Sequence, residues 1–210
     1  VTNPYEHSAS TGPGPEDRPY VSRGGLKLAH ALDEFGIEPA GMTCADLGSS
    51  TGGFTDCLLR RGAARVYAVD TAYGELAWTL RNDPRVVVME RTNALHANPP
   101  EQVDLIVIDL GWTRQQRAIG AAIRWTAPGA RIVSLIKPHY ELGGDRVARA
   151  GSQGVLRDDL AERVAHETAA SLPELGVRVL ALTRSPIRGG RKGRGTGNAE
   201  WLVLCEPPGD

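Results

Sequence analysis

Hydrophobic and polar residues switch between two periods along most of this chain. Short, nearly continuous apolar runs predict strands at Thr43–Leu47, Arg65–Asp70, Arg85–Met89, Val103–Leu110 and Ala130–Ile136. Two more close the chain, at Val177–Leu182 and Glu200–Cys205. Between the runs, apolar residues recur at helical spacing. Leu26, Leu28, Ala29, Leu32 and Phe35 follow a candidate cap at Ser22 and stop at Gly36. Further helices are predicted over Phe54–Arg61, Leu76–Asn82, Gln115–Ala127 and Asp158–Leu172.

Strands that alternate with helices predict a parallel sheet with right-handed crossovers. The run Val103–Leu110 is apolar almost throughout, as expected of a strand covered on both faces. The two closing strands have no helix between them, only a loop rich in Gly and Arg, so they are expected to pair as an antiparallel hairpin at one edge. The fold class expected is α/β: a Rossmann-like, mostly parallel seven-stranded sheet with helices on both faces and a closing hairpin, the variant used by class I methyltransferases.

Composition narrows the picture. The 210 residues, 41% of them hydrophobic, suffice for one core. Residues Val1 to Pro19 hold Pro4, Gly12, Pro13, Gly14, Pro15 and Pro19 among few apolar side chains. They are expected to form a flexible tail or linker ahead of one domain spanning 20–210. A formal net charge of −1 excludes a general polycation, so attraction to nucleic acid requires a local patch. One such patch exists: the loop Arg184–Arg194 carries five cations and no acid. Three cysteines, Cys44, Cys57 and Cys205, follow neither metal nor disulfide spacing. No metal is expected, and a reducing, cytoplasmic setting is. No apolar run approaches the roughly 20 residues of a membrane span, and a membrane partner is not expected.

The first candidate chemistry lies at the turn Asp46-Leu-Gly-Ser-Ser-Thr-Gly-Gly53, between the first strand and its helix. In an open α/β sheet this turn falls at the carboxyl edge, where ligands bind. Gly48, Gly52 and Gly53 permit close backbone approach, while Ser49, Ser50, Thr51 and Phe54 lead into the helix N-terminus. The spacing departs from the G-x-G-x-x-G of dinucleotide sites. Asp46 would repel a pyrophosphate but suits the ammonium of a methionine moiety. Asp70, at the end of the second strand, is placed to accept hydrogen bonds from ribose hydroxyls. Thr92 and Asn93 follow the third strand, where an amide can read an adenine edge. The set favours S-adenosylmethionine (SAM) as cofactor.

Asp109 ends the fourth strand and Lys137 the fifth; Lys27 on the first helix and Glu200 before the last strand join them as candidate catalytic residues. Here the sequence resembles the FtsJ-like RNA ribose 2′-O-methyltransferases, in particular their TlyA (hemolysin A-like) branch. The resemblance rests on Tyr20-Val-Ser-Arg-Gly-Gly-Leu-Lys-Leu28, Asp46-Leu-Gly-Ser-Ser-Thr-Gly-Gly-Phe-Thr55, Arg81-Asn-Asp-Pro-Arg85, Glu90-Arg-Thr-Asn93, Asp109-Leu110, Lys137-Pro138 and Gly197-Asn-Ala-Glu200. It implies a Lys-Asp-Lys-Glu tetrad at Lys27, Asp109, Lys137 and Glu200, with Asp109 also beside the cofactor, and an RNA substrate, ribosomal RNA first. That branch carries an S4-type RNA-binding domain ahead of this region, where the sequence here has its Pro/Gly segment, so a chain lacking that domain is expected. Asp109 is followed by Leu-Gly-Trp where the branch has Leu-Ser-Phe, and Pro138 by His-Tyr-Glu where it has Gln-Phe-Glu.

Lys137 is the candidate for activating the ribose hydroxyl: burial and the second cation Lys27 are expected to push its pKa down towards use as a base, Asp109 and Glu200 to oppose that shift, and the sequence leaves open whether it acts as a base or only steers the hydroxyl. Arg23, Arg188, Arg191, Lys192 and Arg194 are the candidate RNA-binding residues. Two alternatives stay open: a small-molecule methyltransferase on the same sheet, and a membrane-active hemolysin-like protein, which the absence of a span and of a basic amphipathic helix disfavours.

Overall fold

The computed structural model describes residues 19–142, 155–190 and 197–208. Strands β1 (Thr43–Leu47), β2 (Arg65–Val69), β3 (Val86–Met89), β4 (Val103–Ile108), β5 (Thr126–Ile136), β6 (Arg178–Arg184) and β7 (Trp201–Glu206) form one sheet in the order β3-β2-β1-β4-β5-β7-β6. The β3 to β5 side is parallel throughout. β7 enters between β5 and β6, antiparallel to both, so β6 is the edge and the closing pair is the expected hairpin. Helices are α1 (Gly24–Phe35), α2 (Gly53–Arg60), α3 (Trp78–Arg81), α4 (Gln115–Ala122), α5 (Pro138–Glu141) and α6 (Asp158–Ser171).

Strand alternation divides the core into two layers. Leu105 and Val107 of β4 face α1 and α2, joining Leu28, Leu32, Phe54 and Leu58 in one cluster. Ile106 and Ile108 face the other way, towards Ile119, Trp125, Ala161 and Ala165. Both faces of β4 are therefore covered, which is why its sequence is apolar without alternation.

Several boundaries differ from the sequence pattern. α1 starts at Gly24 with Arg23 in the cap position; Ser22 stands one residue outside and accepts the Gly24 N–H on Oγ at 3.3 Å. At its other end Gly36 adopts φ 63°, and Ile37 donates to the Leu32 carbonyl at 2.9 Å, the six-to-one bond of a left-handed helix stop. α4 ends at Ala122, and Thr126 and Ala127, expected in that helix, begin β5. The sheet absorbs Pro128-Gly129, a turn-forming pair, because the register shifts between the Val103–Thr126 and Leu105–Arg131 pairs. The four-residue α5, with Pro138 in its first turn, is too short to show a helical period in the sequence.

The carboxyl ends of the parallel strands converge. Val69 accepts the Gly48 and Ser49 N–H groups at 2.8 and 3.1 Å, Met89 accepts that of Asp70 at 3.1 Å, and Leu47 that of Asp109 at 3.0 Å. Sheet hydrogen bonding thus carries the turn and two acidic residues to one edge.

Candidate active site

A cleft of about 1510 Å³ opens along that edge. It exceeds the roughly 300–1,000 Å³ of a typical small-molecule site, leaving room for a cofactor and a second reactant. Gly48, Ser49, Ser50, Thr51, Gly53 and Phe54 form one wall. Gly48 has φ 95°, and a Cβ there would lie 2.7 Å from the Asp109 carbonyl oxygen, so only glycine lets the turn pass this close to β4. Ser50 takes φ 46° and donates its N–H to Asp70 Oδ2 at 2.8 Å, while Asp70 Oδ1 accepts from Ala72 N at 2.8 Å. Asp70 therefore both faces the cleft and ties the turn to β2.

Two residues expected at the cofactor are not on the cleft wall. Gly52, at φ 97°, caps α2. Asp46 is fully buried behind the turn: Oδ2 accepts from Thr55 N at 2.9 Å and Thr55 Oγ1 at 2.7 Å, fastening α2 to β1. Burial pushes its carboxyl up to about 7, against the Thr55 hydrogen bonds, and the Asp109 and Asp70 carboxylates push the same way. Among the described residues its Oδ1 is buried without a hydrogen-bond partner, so an unpaired carboxyl oxygen lies just under the turn. Thr92 and Asn93 line the opposite wall. The Asn93 Oδ1 accepts from Leu95 N at 3.0 Å, which leaves the amide NH₂ as the group for a base edge.

The four candidate catalytic residues meet in this cleft. Lys27 donates to Glu200 Oε2 at 2.5 Å, with Lys27 8% and Glu200 3% exposed. Lys137 pairs with Asp109 and donates to the Leu110 carbonyl at 3.4 Å. Burial acts to lower the Lys137 pKa, but Asp109 outweighs it and, with Glu200 and Tyr140, holds the ammonium above the usual lysine range. The expected depression is therefore reversed, because the carboxylates that oppose it, Asp109 first, outweigh burial. Burial raises the Glu200 carboxyl against the pull of Lys27.

Three aromatic side chains at the mouth add to the residues that the sequence pattern singles out. Trp112 is 87% exposed at φ 58°, its ring centroid 4.8 Å from Tyr140, which lies 4.0 Å from His139. Burial and the Lys137 charge push His139 down to about 4, so it is neutral at pH 7. In the sequence they are marked by their position just after the strand-end Asp109 and Lys137 and by the departures to Leu-Gly-Trp and His-Tyr-Glu. Of the cationic candidates, Arg23 lines the cleft and donates to the Gly190 carbonyl at 2.6 Å. Arg188 shares Asp158 Oδ2 with Arg184, at 2.5 and 2.7 Å, and does not line the cleft. Arg191, Lys192 and Arg194 lie outside the described residues, as does most of the segment 1–19.

The pattern of the FtsJ-like methyltransferases matches residues 20–196. The chain belongs to the FtsJ-like methyltransferase family. It is 44% identical over 191 residues to the 16S/23S rRNA (cytidine-2′-O)-methyltransferase TlyA of Mycobacterium tuberculosis, an alignment covering 89% of this chain and 68% of that protein. It is 37% identical to Hemolysin A of Brachyspira hyodysenteriae over 88% of this chain and 75% of that one. A solved structure from Streptococcus thermophilus, whose name also carries the word hemolysin, superposes with a TM-score of 0.81 at 35% identity, covering 92% of this chain and 70% of that one. This FtsJ-like protein is thus a methyltransferase, and its fold and relatives imply SAM as the methyl donor. Among the described residues no helix is long and apolar enough to cross a membrane, and no cluster of side chains suits a metal ion.

Proposed function

We propose that this FtsJ-like methyltransferase transfers a methyl group from SAM to a ribose 2′-hydroxyl of ribosomal RNA. The observation that carries the reading is the two ion pairs, buried Lys27–Glu200 and half-buried Lys137–Asp109, set in one cleft beside a glycine turn. A hydroxyl is a weak nucleophile whose proton must be removed, and such charges orient it and take up that proton. The relatives' substrate, ribosomal RNA, agrees with this chemistry.

When bound, SAM supplies the electrophilic methyl group. Asp70 would hold its ribose, the turn 48–53 its methionine end, and Thr92 and Asn93 its base. Lys137, kept as an ammonium by Asp109, donates a hydrogen bond to the attacking oxygen and stabilises the negative charge that develops there. The tetrad's carboxylates, Asp109 and Glu200, would take up the hydroxyl proton. Lys27 holds Glu200 in place within the cleft. Exposed Trp112, on its Tyr140 support, offers a flat apolar surface to a nucleobase. Arg23 and Arg188, with Arg191, Lys192 and Arg194, are the proposed phosphate contacts.

The test is methyl transfer from radiolabelled SAM to small and large ribosomal subunits, transfer RNA and a nucleotide-free extract, followed by nucleoside analysis. A 2′-O-methylated nucleoside in ribosomal RNA is expected. Label confined to small molecules would favour the second reading, a small-molecule methyltransferase.

A further inference from the structure

Asp109 and Lys137 stand at the ends of adjacent strands, yet the β4–β5 ladder stops at the Ile108–Ser134 pair, before either of them. Asp109 is tied by its N–H to β1 rather than to β5. The β4–β5 ladder itself therefore does not set the distance between the two segments, and the Lys137 side chain, through Asp109 and the Leu110 carbonyl, is one link between them. The candidate for a second is a buried polar side chain with no part in the tetrad. Gln115, the first residue of α4, is 4% exposed, and Ser134 beneath it is fully buried. The Gln115 Nε2 donates to the Leu135 carbonyl at 2.9 Å, and its Oε1 accepts from Ser134 Oγ at 2.6 Å. Its backbone N–H, at the start of α4, donates to Glu141 Oε1 at 2.9 Å.

These bonds join the loop carrying Asp109 and Trp112 to the segment carrying Lys137 and Tyr140, once on each side of Lys137. Leu135 precedes it and Glu141 ends the short helix that follows it. An apolar side chain would fill the same space without the desolvation cost of an amide and a hydroxyl. A fully satisfied polar network instead specifies one geometry. We propose that Gln115, anchored by Ser134 and Glu141, is a positioning residue that clamps Lys137 against Asp109. The inference rests on the tetrad reading above, in which the Lys137–Asp109 pair faces the ribose.

The test compares the full chain with Gln115→Leu, Ser134→Ala and Glu141→Gln. The Lys137 ammonium is followed by ¹⁵N NMR, assigned by its loss in Lys137→Arg, alongside kcat, KM, SAM affinity and melting temperature. Gln115→Leu is expected to lower the Lys137 titration midpoint and to reduce kcat by ~10–100-fold, with SAM affinity within about twofold. Ser134→Ala, which keeps the bond to Leu135, should give a smaller change in the same direction. Glu141→Gln keeps an acceptor for the Gln115 N–H and should retain both properties. If Gln115→Leu does not fold, Ser134→Ala decides alone. A folded variant that loses melting temperature but keeps the Lys137 titration and kcat overturns the proposal, as does a parallel loss of SAM affinity and kcat. If the wild type methylates no RNA while the Lys137 titration still moves in Gln115→Leu, the substrate reading fails and the clamp stands.

Discussion

Replacing Asp46 by Asn should reverse sign with pH. Asp46 is fully buried, with a carboxyl pushed from 3.8 in the unfolded chain to about 7 in the folded one. Because the folded pKa is the higher, the native state keeps a proton that the unfolded state has already lost. Stability then falls as pH rises from about 4 to about 7, by up to roughly 1.4 kcal/mol per pH unit, and levels off above. A shift of about three units corresponds to ~4 kcal/mol, an upper figure since the buried site can relax. Asn keeps an oxygen for the Thr55 N–H and carries no charge, but its NH₂ would occupy the place of Oδ1, which has no partner, at a cost of ~1–3 kcal/mol. The variant should therefore be less stable than wild type near pH 4 and more stable near pH 8, with stability profiles that cross in between. Urea unfolding of the ligand-free protein at half-unit steps from pH 4 to 8 measures both slopes. Parallel stability profiles, or a wild type whose stability is flat over this range, would refute the burial argument.

Asp70→Ala should weaken SAM by ~1–3 kcal/mol in a calorimetric titration, through missing ribose bonds and a loosened turn at Ser50; unchanged affinity removes Asp70 from the site. Lys137→Ala should abolish turnover with SAM affinity within a few-fold, since its contribution belongs to the transition state. Lys137→Arg should also fail, because a longer, planar guanidinium that forks onto Asp109 does not present its donors where the compact ammonium does; a fully active Arg variant would mean that only the charge matters. Replacing Arg23 and Arg188 by Ser should weaken RNA binding and flatten its salt dependence by roughly 0.7 log units for each phosphate that is no longer bound, with SAM affinity unaltered. An unchanged salt slope would place the RNA surface elsewhere.

Much of the fold is legible in the residues because strand and helix periods are local properties. The continuous apolar run of β4 announces a strand covered on both faces, and Leu105 and Val107 indeed pack into one layer, Ile106 and Ile108 into the other. The glycine turn, Asp70, Asp109 and Lys137 can be picked out for the same reason: in a parallel sheet, position at a strand end is set by the strand itself. Boundaries that depend on partners are not legible. Thr126 and Ala127 read as helix, and only the register shift against Val103 makes them strand.

Charge states were decided by the tertiary structure alone. Lys27 and Glu200 lie 173 positions apart, and nothing local shows that they neutralise each other. At Lys137 the Asp109 carboxylate, with Glu200 behind it, outweighs burial, and the ammonium stays charged. Asp46 reads as a cofactor ligand from its place before the turn, whereas packing of α2 turns its carboxylate onto Thr55 and away from the cleft wall. Sequence spacing orders residues along a strand, but the field at a buried group falls off with distance in space. Residue order therefore specified which side chains reach the carboxyl edge, and only the packed structure specified which of them carry a proton there.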